Sequence, residues 1–195
     1  GYARVDGRPN YHPYGLLVEP QYYLIIATYY IKKLASIGYY LNFLERSPGD
    51  AYTEYHGFYL DASGGLEART YPGILSGTTS GTVSVGDIII LGIGLGKYGN
   101  NYYFTYGACK YDWDTDTCTQ IIDAYTNPIS TPSTNVLYHA LAEQNYATGE
   151  IYIATFYRID SGRISSTPSS GIGSDALLAG VRMARKLGLA DPRTI

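Results

Sequence analysis

The ten residues CKYDWDTDTC contain the chain's only two cysteines, Cys109 and Cys118, with Asp112, Asp114 and Asp116 at alternate positions between them. Carboxylates at positions 1, 3 and 5, with Asp123 at position 12, follow the oxygen-ligand spacing of a calcium loop. The match is partial, because Thr117 stands where such a loop needs glycine and position 7 is Cys118. The cysteines are spaced too widely for a CxxC redox or zinc motif, and no second pair completes a tetrahedral site. A disulfide across a hairpin is expected; closing so short a loop is worth roughly 2–3 kcal/mol on the chain-entropy model. Such a bond implies an oxidising compartment or a hyperthermophilic source. The expected loop is a stapled, solvated acidic tip, with calcium as the one candidate cofactor.

Two other patterns carry less chemistry. Gly94-x-Gly96-x-x-Gly99 has dinucleotide-binding spacing, but that motif needs a helix N-terminus to follow, and NNYYFTY reads as strand. A glycine-rich turn between paired strands is expected instead. His12, His56 and His139 are the only histidines, and none stands in a Ser-His-Asp or HxxxH arrangement. His139 and Glu143 share parity on NVLYHALAE, which predicts a structural pair on one sheet face.

The elements that must hold these residues read as mainly β. Residues 1–20, with Pro9, Pro13 and Pro20, predict an extended N-terminal arm. Residues 21–160 alternate short apolar runs with turn clusters, which predicts an antiparallel β-sandwich or jelly roll. In QYYLIIATYYIKKLASIGYYLNFLE the break near Ala35–Gly38 separates two strands. Residues 161–173 form a linker. Residues 174–190 predict one amphipathic C-terminal helix, with Leu177, Leu178, Val181, Ala184 and Leu187 at helical spacing.

Composition excludes some partners. Lys and Arg number 14 against 17 Asp and Glu, a net charge of −3 that gives no electrostatic reason to bind nucleic acid. No run of roughly 18 apolar residues predicts a membrane span. The N-terminus lacks a basic start followed by an apolar stretch, as in a mature chain whose signal has been removed. Tyr numbers 23 against 4 Phe and 1 Trp. Tyrosine combines an apolar ring with a hydrogen-bonding tip, which suits half-buried strand faces and partner surfaces alike.

FYLDASGG, LEARTYPG, VSVGDIIIL and LAEQNYATGEIYIATF, between Phe58 and Phe156, resemble segments of the eqolisin-type glutamic peptidases. The resemblance covers about half the chain and implies a concanavalin-like double sheet. That family works through a Gln–Glu pair. Here Asp61 takes the Gln position, and Glu143 aligns with the Glu across a gap. The resemblance therefore implies the sandwich first and, for any hydrolysis, an Asp61–Glu143 carboxylate pair sharing a proton.

These readings lead to one principal expectation: a secreted structural or adhesive subunit of a filament or surface assembly. Its partner is a second copy, docked through the N-terminal arm with Leu16, Leu17 and Val18 as apolar anchors on an open sheet edge. The alternatives are an acid hydrolase using Asp61 and Glu143, and a carbohydrate-binding module with tyrosine platforms.

Overall fold

A computed structural model describes residues 3–5, 14–17, 22–45, 54–130, 136–143, 150–161 and 166–195. In chain order the strands are β1 (Ala3–Val5), β2 (Tyr14–Leu17), β3 (Tyr22–Lys33), β4 (Tyr39–Glu45), β5 (Tyr55–Leu60), β6 (Gly65–Tyr71) and β7 (Leu75–Thr78). They continue with β8 (Ser80–Thr82), β9 (Ile88–Tyr98), β10 (Asn101–Asp112), β11 (Thr117–Thr126), β12 (Val136–Glu143) and β13 (Glu150–Ser161). One α-helix, α1 (Ser174–Lys186), and a 3-10 turn at Pro192–Thr194 close the chain. The strands form a seven-stranded sheet, β1-β13-β3-β9-β10-β11-β7, and a six-stranded sheet, β2-β12-β4-β5-β6-β8, with every pairing antiparallel. This is the β-sandwich that the alternation predicts. The expected break between two strands falls between β3 and β4.

The inner faces bury Ile25, Ala27, Tyr29, Ile89, Leu91, Ile93, Phe104 and Tyr106 of the larger sheet against Leu41, Leu44, Phe58, Leu60 and Leu66 of the smaller. Burying a polar tip is costly unless it is bonded, and two core tyrosines meet this demand across the sandwich. Tyr29 OH donates to the Leu141 carbonyl at 2.5 Å, and Tyr106 OH donates to the Arg69 carbonyl at 3.1 Å. Asn42 does the same from the other side. Left-handed at φ 46° and fully buried, it donates from Nδ2 to the carbonyls of Ile25 and Leu91, at 3.1 and 3.0 Å, and accepts from His139 Nε2 at 2.8 Å. Asparagine is one of the few residues that tolerate this conformation.

His139 is buried, bonded to Asn42 and in register with Leu44, and Glu143 is in register with Tyr40; the pairing expected between them involves the Glu143 side chain, which lies outside those described.

On the outer face of the larger sheet, Ile26, Ile88, Ile90, Cys109 and Tyr111 pack against Ile172, Leu177, Leu178 and Val181. Close approach is possible because the glycines leave room. A Cβ on Gly92 would lie 2.7 Å from Leu177 Cδ2, and one on Gly107 would lie 2.3 Å from the Ile172 carbonyl. Thus the GIGLGKYG run is neither a dinucleotide loop nor chiefly a turn: Gly92, Gly94 and Gly96 lie within β9. The helix is shorter than 174–190, ending at Lys186 with Leu187 as C-cap and Gly188 at φ 94°. Its N-cap is Gly173.

Parts of the segment expected as a free arm are edge strands of this chain's own sandwich. Ala3–Val5 pairs with β13, and Tyr14–Leu17 pairs with β12, placing Leu16 opposite Leu137 and Leu17 opposite Val136. The backbone groups of β12 and β13 that would otherwise be open are satisfied there by the nearest available chain. Val18 lies outside the described residues. No helix among the described residues is long and apolar enough to cross a membrane.

Candidate functional site

On the six-stranded sheet, alternation along β4, β5 and β6 turns nine residues away from the core, in three rows fixed by register. Tyr55 pairs with Glu45 and Tyr71; Gly57 pairs with Arg69; Tyr59 pairs with Tyr40 and Glu67. Phe43 completes the middle row, because its ring lies over Gly57: a Cβ there would sit 2.6 Å from Phe43 Cδ2. The rings form a continuous path. Tyr59 and Tyr40 have centroids 5.0 Å apart, Tyr40 and Phe43 4.6 Å, Phe43 and Tyr55 6.0 Å, and Tyr55 and Tyr71 6.0 Å. Phe43 is fully buried beneath its neighbours, Tyr40, Tyr55 and Tyr59 are half-buried, and Tyr71 is 50% exposed.

A polar group closes one end of the path. The Arg69 guanidinium stacks 3.9 Å above the Tyr59 ring and lies 5.9 Å from Tyr40. Its Nε donates to Glu67 Oε1 at 2.6 Å, NH2 pairs with the same carboxylate, and NH1 reaches Tyr40 OH at 3.4 Å. Both charged side chains remain partly exposed, 34% for Arg69 and 45% for Glu67. The arrangement sets partly buried rings beside a fixed donor and acceptor. The sequence signal was present in Y-x-G-x-Y (55–59) and E-x-R-x-Y (67–71), whose period of two places each set on one face.

The residues singled out from sequence lie elsewhere. Cys109 and Cys118 are bonded across the β10–β11 hairpin with Cα atoms 5.6 Å apart. The aspartates of the tip are turned toward different partners. Asp112 Oδ1 accepts from the backbone N–H groups of Asp114 and Thr115. Asp114 pairs with Arg193, and Asp116 pairs with Arg182 and accepts from Tyr111 OH. Asp123 accepts from Gly171 N–H at 2.5 Å. Arg185 donates to the Trp113 carbonyl and lies 4.3 Å from its ring. The tip is therefore the anchor for α1 and the C-terminal turn; Arg193 holds the Asp114 carboxyl, and the Tyr111 hydroxyl bond with Arg182 holds the Asp116 carboxyl, below the usual carboxylate range. Among the described residues, no group of three or more His, Cys, Asp or Glu side chains is placed to hold a metal ion. A surface cleft of about 300 Å³ lies beside this anchor, and its charged groups pair with one another, Lys110 with Asp87 and Arg193 with Asp114.

Asp61 forms the β5–β6 turn. Its Oδ1 accepts from Ser63 Oγ and Ser63 N–H at 2.7 Å and from Gly65 N–H at 2.8 Å, and these bonds lower its pKa. Glu143 lies at the end of β12, with β4 between it and the strand leading to Asp61. In the core, His56 Nδ1 meets Thr70 Oγ1 at 2.8 Å, its Nε2 meets Glu54 Oε1 at 3.3 Å, and its ring stacks 3.6 Å from that of Phe104. Burial pushes the imidazole below its ordinary pKa, and the Glu54 carboxylate opposes this in part.

No protein-family model matches the chain, and no curated protein matches it in sequence. Solved structures do. The marine PL-14 alginate lyase from Aplysia kurodai is 11% identical over 82% of this chain and 83% of that one, with a TM-score of 0.51. Scytalido-glutamic peptidase, solved with a peptide-based transition-state analogue, is 16% identical over 85% and 87%, with a TM-score of 0.48. The CBM40 of a Ruminococcus gnavus sialidase, bound to sialyllactose, is 9% identical over 91% and 97%, with a TM-score of 0.39. The resemblance to glutamic peptidases thus recurs at the level of structure. At these identities the likeness is one of fold, and fold alone does not carry function.

Proposed function

We propose that this chain is a secreted carbohydrate-binding β-sandwich whose binding face is the outer face of β4, β5 and β6. The observation that carries the reading is the ring path from Tyr59 to Tyr71 with Arg69 and Glu67 at its end. Pyranose rings have apolar C–H faces and hydroxyl rims. Aromatic faces cover the former, and tyrosine tips with a guanidinium–carboxylate pair bond the latter, at low side-chain entropy cost. The disulfide supports the extracellular placement. No hydrolytic step is assigned, since the Asp61 carboxylate is engaged in its own turn. The test is affinity electrophoresis through gels containing soluble polysaccharides. Wild type is expected to be retarded by at least one, and the Tyr55→Ala/Tyr71→Ala double variant to migrate freely. Equal migration of the two proteins in every gel contradicts the reading.

One observation favours a second reading, self-association through the N-terminal segment. Tyr14–Leu17 is a four-residue edge strand held by β12 on one side, and a neighbouring copy's segment would find the same register. On this reading Leu16, Leu17 and Val18 are exchanged between copies, and head-to-tail exchange gives a filament. Deleting residues 1–18 is expected to abolish polymers seen by electron microscopy. Polymers that persist, or a wild-type monomer at all concentrations, remove this reading.

A further inference from the structure

The charge pattern of the tyrosine face restricts what it can take, on the premise that it binds carbohydrate. Among the nine outward residues of β4, β5 and β6, the ionisable groups other than tyrosine are Glu45, Glu67 and Arg69. Arg69 is the single cation of this set, and two of its guanidinium nitrogens already face the Glu67 carboxylate. Glu45 registers beside Tyr55 and is almost fully buried. A uronate or sulfate brought onto the rings would shed water and meet a guanidinium already paired with the Glu67 carboxylate. A neutral sugar meets no such opposition. Its hydroxyls can donate to the exposed part of Glu67 and accept from Arg69 without separating them.

We infer that the face takes a neutral, not an acidic, polysaccharide, and that Glu67 is the residue that sets this preference by occupying Arg69. Glu67→Gln isolates the effect, because the amide oxygen still accepts from Arg69 Nε while the charge is gone. The fold is left alone, since Glu67 is about half exposed.

The test is calorimetric titration of the whole chain, wild type and Glu67→Gln, with cellohexaose, xylohexaose and mannohexaose as neutral probes and hexaguluronate and hexagalacturonate as acidic ones. Wild type is expected to bind at least one neutral hexamer and to bind both acidic hexamers at least about tenfold more weakly, a difference that desolvating an unpaired anion readily supplies. Glu67→Gln is expected to raise the acidic-to-neutral affinity ratio about tenfold or more, and about 0.5 M NaCl to remove that rise. A wild-type preference for an acidic hexamer overturns the inference and leaves carbohydrate binding standing. An unchanged acidic-to-neutral ratio in Glu67→Gln overturns the role of Glu67. Wild-type binding to none of the five probes overturns the carbohydrate reading and this inference with it.

Discussion

On the seven-stranded sheet the outward residues of β9 are aliphatic or glycine, and Ile172, Leu177, Leu178 and Val181 lie directly upon them. On the six-stranded sheet the outward residues of β4, β5 and β6 are four tyrosines, a phenylalanine, Gly57, the buried Glu45 and the Arg69–Glu67 pair, and α1 packs on the other sheet. Both sets come from strands with the same alternation, so periodicity cannot tell them apart. Side-chain type does. Glycine and isoleucine make a floor that a helix can approach closely, whereas tyrosine keeps a polar tip that remains compatible with water. The first face is closed by its own chain; on the proposed reading the second is met by a glycan.

That contrast predicts where mutations hurt stability and where they hurt binding. Leu177→Ala, in the fully buried contact over Gly92, is expected to lower unfolding stability by about 2–5 kcal/mol, measured by urea denaturation. Tyr71→Ala, on the half-exposed face, is expected to cost about 1 kcal/mol or less and to act on glycan binding instead. Similar losses at the two positions would erase the distinction.

Next in size is the bond tying the α1 anchor to its sheet. Cys109→Ser with Cys118→Ser is expected to cost about 2–3 kcal/mol. Glycan binding on the opposite face should survive under conditions where the variant remains folded. Peptide mapping without reduction should find the two cysteines linked.

A third effect separates the core from both faces. The buried His56 has its folded pKa below its ordinary 6.5, so its neutral form is the stabilising one. As pH falls below 6.5 the unfolded chain takes up a proton that the folded chain resists, and stability declines until the folded pKa is passed. The Asp114 and Asp116 pairs behave differently: their depressed pKa values keep their contribution intact above about 3.8, and it disappears only as pH falls through the folded values. Unfolding midpoints between pH 7 and pH 4 should therefore decline in wild type and flatten in His56→Gln. An equal slope in both proteins would assign the decline to another group.

The smallest effects belong to the acidic tip. Arg182→Ala is expected to cost about 1 kcal/mol or less, since both partners are nearly half exposed. Millimolar calcium should leave the wild-type midpoint unmoved, because the carboxylates face arginines and backbone N–H groups. A calcium-dependent rise would show that the loop opens to a cation.

The sandwich, the disulfide and the C-terminal helix were legible because each leaves a local mark: alternation, a pair of cysteines and a 3.6-residue period. Three features were not. Asn42 looks like an ordinary strand asparagine in YYLNF, and only the packed sheets reveal that it bridges them. The alternating glycines of β9 resemble a turn until the helix that fills their space is in place. The tyrosine face was written in the sequence as two period-two segments, yet its continuity depends on the β4–β5–β6 register, which sets Tyr40 beside Tyr59 and Tyr55 beside Tyr71. The aspartates at 112, 114 and 116 show the converse: spacing suggested a shared ligand set, whereas Asp114 and Asp116 each pair with a distant arginine and Asp112 accepts from backbone N–H groups.

The central claim is that the six-stranded sheet, not the helix-covered one, is the working face. Hydrogen–deuterium exchange with and without saturating cellohexaose, xylohexaose or mannohexaose tests it most directly. Protection is predicted in peptides covering 39–45, 55–60 and 65–71, with β9–β11 and α1 unchanged. Protection confined to β9–β11 or α1, or none with any of the three sugars, would contradict it.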